Sequence, residues 1–221
     1  MKDKIDVFIK IQKAAGTSLI NYIASNGQGD IEMLDHAYCY KLKNKNTGWM
    51  WSKENFPTFD KYVFNNIYAL VRNPFDILVS YYFHLSPNFT RSVSAWDFLG
   101  NDGWNHCNII HGFKTWREFL DAYIDPNFEW HLPPMKKSMF SFIYDEDNNL
   151  IIDRYFKVEN INELKTFFYQ RGWKEPCVLP KTNSTTLRPL GKLDFFYKPE
   201  DVKQLEKIWE KDLNYFNYSF Y

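Results

Sequence analysis

Residues 5–26 read IDVFIKIQKAAGTSLINYIASN, and the way this stretch divides decides the fold. Ile5, Val7, Ile9 and Ile11 alternate with a mostly polar set that also holds Phe8, which predicts a strand over residues 4–11, internal to a sheet and covered on both faces. Leu19, Ile20, Tyr22 and Ile23 then recur at helical spacing, predicting a helix over 17–26 that stops at Asn26-Gly27. Between the two, Ala14, Ala15 and Gly16 are small enough for their backbone N–H groups to approach an anion closely. Lys13, Thr17 and Ser18 add a charge and two hydroxyls at the helix start. The plain alternative for this loop is a tight turn with an exposed Lys.

The pattern repeats further on. NIYALV (66–71) reads as a second apolar strand, and RNPFDILVSYYFHL (72–85) follows it into a helix with Asn73 as N-cap, Pro74 at the first helical position and Asp76 near the positive end. A short strand is expected near IEML (31–34). TWREFLDAYI (115–124) predicts a helix with Trp116, Phe119, Leu120 and Tyr123 on one face. MFSFIYDEDNNLIIDRYFKVE (139–159) reads as two extended segments around a turn at DEDNN. NINELKTFFYQRGW predicts a helix capped by Asn160 or Asn162 and closed at Gly172. The C-terminal helix opens on Pro199 and Glu200 and should keep Val202, Leu205, Ile208, Trp209 and Leu213 on one stripe. Strands alternating with helices spell an α/β fold with a P-loop-like central parallel sheet flanked by helices, and the absence of repeats or linkers predicts one domain over 1–221.

Composition narrows the function. The 221 residues carry 27 basic and 27 acidic side chains, so no global charge calls for nucleic acid or an anionic membrane surface, and any anion site must be local. Cys39, Cys107 and Cys177 are far apart and odd in number, without the close pairs of a zinc or redox motif. The N-terminus enters a strand at once, without signal-peptide features, and no apolar run reaches membrane-spanning length. A cytoplasmic protein without a membrane segment is therefore expected, and the sequons at Asn88, Asn183 and Asn217 read as chance.

In a parallel sheet, ligands sit beyond the C-terminal strand ends, where both marked loops fall. The first differs from a Walker A loop, because Lys13 precedes Gly16 instead of following the last Gly. In the second, Arg72 ends the strand, and Ser80, eight residues on, shares a helix face with Asn73. An Arg fork with a hydroxyl suits a phosphate monoester; an Arg paired with Asp76 and a Ser bonded to its own backbone are the local alternatives. Two loops together suit a ligand with two separate anionic groups.

KAAGTS (13–18) and LVRNPFDILVSYY (70–82) together resemble the two signature segments of the sulfotransferases, the first their 5′-phosphosulfate loop and the second their 3′-phosphate segment. The likeness to the carbohydrate branch continues through DHAYCYKL (35–42), TWREFL, DRYFKVENINEL (153–164), LPKTNST (179–185) and YKPEDVKQLEKIWEKDLNYFNY (197–218). Gln12 and Ala14 depart from the Pro and Thr usual in that family's loop, and the membrane anchor of Golgi members is not found, as in a minimal form.

The resemblance implies a sulfotransferase fold and 3′-phosphoadenosine 5′-phosphosulfate (PAPS) as co-substrate, with no metal required. The sulfuryl acceptor would be a hydroxyl, favoured on a saccharide. It assigns Lys13 to the leaving oxygen, Ala15, Gly16, Thr17 and Ser18 to the phosphosulfate, Arg72 and Ser80 to the 3′-phosphate, and Asn183 and Ser184 to a loop over the nucleotide. Lys181 and Arg188 share that loop. His36 matches the segment holding the catalytic base of some carbohydrate members, with Asp35 and Glu32 as fallbacks. His84, His106, His111 and His131 are left for acceptor contact or packing. Glu159 matches a family Glu that holds a strand-to-helix turn. Trp49, Trp51, Trp96 and Trp104 could stack on sugar rings or pack in the core. Two rival readings remain: a P-loop kinase or nucleotide triphosphatase, and a PAPS-binding module without transfer activity.

Overall fold

The computed structural model describes residues 5–11, 14–26, 31–35, 64–85, 113, 115–128, 138–144, 150, 152–173 and 193–220. Contacts divide the chain into two compact units, the first from Met1–Asn73 with Ser138–Ser184 and the second from Pro74–Lys137 with Thr185–Tyr221.

The first unit is a parallel sheet flanked by helices. Its strands are β1 (Ile5–Lys10), β2 (Ile31–Asp35), β3 (Phe64–Val71) and β4 (Arg154–Lys157), in the order β2-β1-β3-β4. All three pairings are parallel. Helix α1 (Gly16–Asn26) follows β1, and α4 (Ile161–Gln170) follows β4. Because side chains alternate along a strand, Phe8, Tyr68, Leu70 and Phe156 share one face. There they meet Leu19, Tyr22 and Ile23 of α1 and Leu164, Phe167 and Phe168 of α4. The opposite face, with Val7, Ile9, Ile11, Ala69 and Val71, is buried too. That double burial is what an internal parallel strand requires, and it is why β1 reads as nearly continuous apolar sequence.

The alternating set of β1 that holds Phe8 also buries an acid. Asp6, at the N-terminal edge of the sheet, is buried and accepts hydrogen bonds from the Asn66 N–H (3.0 Å), the Asn66 side-chain amide (2.8 Å) and the Tyr68 hydroxyl (3.3 Å). It is also ion-paired with Arg171, whose guanidinium lies over the Phe167 ring, 4.6 Å from its centre. Arg171 is delivered there by the end of α4. Gly172 adopts φ +78°, its N–H reaches the Tyr169 carbonyl (2.9 Å) and the Trp173 N–H the Phe168 carbonyl (3.2 Å). Trp173 stacks on Phe168. This is a complete Schellman stop, with glycine at the one position whose left-handed backbone favours it.

The second unit contains α2 (Pro74–Leu85), α3 (Trp116–Ile124), α5 (Pro199–Ile208) and α6 (Glu210–Phe216). The Thr115 hydroxyl accepts the Glu118 N–H and the Glu118 carboxylate accepts the Thr115 N–H, a reciprocal box that starts α3. Phe119, Leu120 and Tyr123 are buried as the spacing predicts, with Trp116 only partly so. In the same unit, Trp209 meets Phe75 edge-on and donates its indole N–H to the Tyr123 hydroxyl (3.1 Å).

Three expectations are corrected. Residues Met139–Phe142 form a 3₁₀ turn instead of an extended segment, with the Ser138 hydroxyl accepting the Phe140 N–H, and among the described residues Tyr144 and Leu150 bridge antiparallel. The C-terminal helix bends at Trp209 (φ −104°, ψ 19°), although hydrogen bonds from Trp209 to Leu205 and from Leu213 to Trp209 run through the bend. The bend keeps Leu205, Trp209, Leu213 and Phe216 buried and leaves Ile208 exposed, outside the expected stripe. Asn160 takes the N-cap position of α4, one of the two places expected, but its side chain makes no cap bond. No helix among the described residues is long and apolar enough to cross a membrane.

Candidate functional site

The strand order creates the place where a ligand fits. From β1 the chain moves to β2 on one side, and from β3 it moves to β4 on the other, so the loops leaving β1 and β3 diverge from neighbouring strands. In open α/β sheets ligands bind at such a divergence, outside the C-terminal strand ends. Lys10 pairs with Leu70, so the loop from Ile11 to Ala15 and the turn at Arg72 leave the sheet side by side. The strand ends from which the two marked segments start thus lie at one edge of one sheet.

The first loop has an unusual backbone. The Ala14 N–H closes a turn onto the Ile11 carbonyl (3.3 Å), Ala15 adopts φ +55°, and α1 begins at the next residue, with the Leu19 N–H on the Ala15 carbonyl (3.1 Å). A residue of positive φ beside residues of negative φ turns successive N–H groups toward one side, and the first turn of a helix has no intrahelical acceptor for its own N–H groups. The chemistry offered is a row of donors at the positive end of α1, suited to a phosphate or sulfate oxygen. Gly16 opens the helix, and Ser18, in its first turn, is buried. Thr17 belongs to the same turn by its backbone.

The second segment has a different construction. Arg72 follows the last residue of β3 and is partly buried; Asn73 is buried and donates its N–H to the Glu159 carboxylate at 2.7 Å. Pro74, the first residue of α2, has no N–H at all. The start of α2 therefore offers an anion fewer backbone donors than the start of α1. Ser80 lies two turns into α2 and is partly buried.

Glu159 does hold a strand-to-helix turn, as the resemblance implies, and the turn is the one after β3. No local signal links the two residues, which are 86 positions apart. Asp35, the fallback base, ends β2 opposite Lys10, which puts it at the same C-terminal edge, whereas Glu32 pairs with Val7 further back. Lys13, His36, Asn183 and Ser184 lie outside the described residues, as do Gln12, Lys181, Arg188, the three cysteines, His106, His111, His131, Trp49, Trp51, Trp96 and Trp104.

No protein-family model, curated protein or solved structure matched this chain when it was compared with each.

Proposed function

We propose that this chain is a sulfotransferase that moves the sulfuryl group of PAPS to an acceptor hydroxyl, with a saccharide as the favoured acceptor. The observation that carries the reading is the pairing of β1 with β3. It sets a left-handed, donor-rich loop and a strand-end arginine beside each other at the edge where α/β sheets take ligands. Two unlike anion holders at one edge suit a nucleotide that bears a 5′-phosphosulfate and a separate 3′-phosphate better than a single triphosphate chain.

In this reading, backbone N–H groups of residues 15–18 hold the phosphosulfate, and Arg72 with the Ser80 hydroxyl holds the 3′-phosphate. When the donor is bound, the acceptor oxygen attacks sulfur and the bond from sulfur to the bridging oxygen of the 5′-phosphate breaks, releasing adenosine 3′,5′-bisphosphate. His36 takes the acceptor proton, and Lys13 meets the charge left on the bridging oxygen. As in phosphoryl transfer, the protein's contribution is positioning and charge stabilisation, which needs no metal in principle.

A thermal-shift comparison tests it. Adenosine 3′,5′-bisphosphate at a hundred times its Kd should stabilise the fold by about 2.7 kcal/mol. Arg72→Ala should weaken that binding by about tenfold or more, as expected for lost charge-assisted bonds. His36→Ala should bind the bisphosphate normally and lose transfer. Equal or greater stabilisation by magnesium ATP would turn the assignment to a P-loop kinase, and normal binding without turnover of PAPS on any saccharide would leave a binding module.

A further inference from the structure

The bond between Glu159 and Asn73 follows from where β4 stops. Its last pair with β3 is Val71 with Lys157. Counting on in register, Asn73 falls opposite Glu159. The chain leaves the ladder there, curling into the 3₁₀ turn Val158–Asn160, and its backbone can no longer serve the neighbouring strand. The Glu159 carboxylate substitutes: it accepts the Asn73 N–H at 2.7 Å, a charge-assisted bond to a residue only 2% exposed. The turn that carries Glu159 is itself pinned, because Val158 before it and Ile161 after it both pack against the aromatic core under the sheet. Arg72 is thus fixed from both sides, by the last pair of β3 and by this carboxylate.

We infer that Glu159 is a positioning residue that sets the Arg72 turn and thereby the selectivity of the site for a nucleotide carrying a 3′-phosphate. The inference rests on the sulfotransferase reading and deepens it, since it names what makes the second anion holder specific. It separates the two halves of the clamp: the backbone loop serves any 5′-phosphate, and the turn fastened by Glu159 discriminates.

Calorimetric titration of adenosine 3′,5′-bisphosphate and adenosine 5′-monophosphate against the wild type, Glu159→Ala and Glu159→Gln tests it. The wild type should prefer the bisphosphate. Glu159→Ala should bind the bisphosphate about tenfold more weakly and the monophosphate within about twofold of the wild type, because only the second holder is loosened. Glu159→Gln retains an acceptor oxygen for the Asn73 N–H and should stay within about threefold for both ligands. An unchanged bisphosphate affinity in Glu159→Ala overturns the inference. So does an equal loss for both ligands, whether by unfolding or otherwise, and so does Glu159→Gln behaving like Glu159→Ala. A wild type that binds the two nucleotides equally overturns the sulfotransferase reading with it.

Discussion

Ala15 is the residue on which the loop after β1 turns. A non-glycine residue at φ +55° is held in a sparsely populated conformation, and such a conformation persists only where the surroundings impose it. Glycine would remove the steric cost, but Ala15 also packs its methyl group against the core under α1. The relief and the lost burial, each about 1 kcal/mol, nearly cancel. Ala15→Gly should therefore unfold in urea within about 1 kcal/mol of the wild type and still bind the bisphosphate. Ala15→Val, branched at Cβ, should lose about 2 kcal/mol or more and lose binding; a Val variant as stable as the wild type would show that the turn is not held as described. Tyr123 makes a second prediction at this scale. Burial pushes its phenol far above the usual range, so the hydroxyl stays neutral and pairs with the Trp209 indole N–H. Tyr123→Phe leaves that N–H buried without its acceptor and should cost about 1–3 kcal/mol in a denaturant titration. A cost near zero would mean that the indole finds another acceptor.

Between elements, one polar tie fastens β1, β3 and the end of α4 at the N-terminal edge of the sheet. Burial by itself would raise the pKa of Asp6, but hydrogen bonds from Asn66 and the Arg171 guanidinium outweigh it and hold the carboxyl below its ordinary value. A carboxyl with a depressed pKa contributes stability that is complete above its unfolded pKa, about 3.9, and is lost as pH falls through the folded one. Asp6→Asn should therefore cost about 3 kcal/mol at neutral pH, as for a broken buried pair. Its stability should also change less than the wild type's below about pH 4, so that the two converge in acid. Parallel acid limbs would remove Asp6 from the account. This tie was not legible in the sequence, because Asp6 sits in the polar half of an alternating strand and its partner is 165 positions away. What was legible is local. The apolar run and helical spacing at 5–26, and the Asn-Pro entry at 73–74, report elements whose signals lie within a few residues. MFSFIY misled for the same reason, since a short apolar aromatic run has no period that separates a strand from a buried turn. The bend at Trp209 was hidden because it serves burial by residues distant in sequence. At the candidate site, the two strand-to-helix loops could be read from local signals, and the carboxylate that fastens the second could be placed on a turn but not on which one.

For the whole molecule, connectivity sets how it unfolds. Each unit is made of two stretches, and the chain crosses between units three times. The first unit cannot complete its sheet without β4 and α4, which bring Phe156, Leu164, Phe167 and Phe168 to the core. The segment 74–137 that separates them from β3 belongs to the second unit. Closing a loop of about sixty residues between β3 and β4 costs about 4 kcal/mol of chain entropy, a cost that folding of the second unit would offset. A coupling of that size is a large fraction of the 5–15 kcal/mol typical of a folded domain. Unfolding should thus be one transition, and a substitution in one unit should lower the protection of both. Native-state hydrogen exchange provides the measurement: in Asp6→Asn the slowest amides of α4 in the first unit and of α3 in the second should lose the same free energy of opening. The double variant with Tyr123→Phe should show the sum of the two losses at both places, because the substituted residues lie in different units. If only β1, β3 and α4 exchange faster in Asp6→Asn while α3 keeps its protection, the units open independently and connectivity does not couple them.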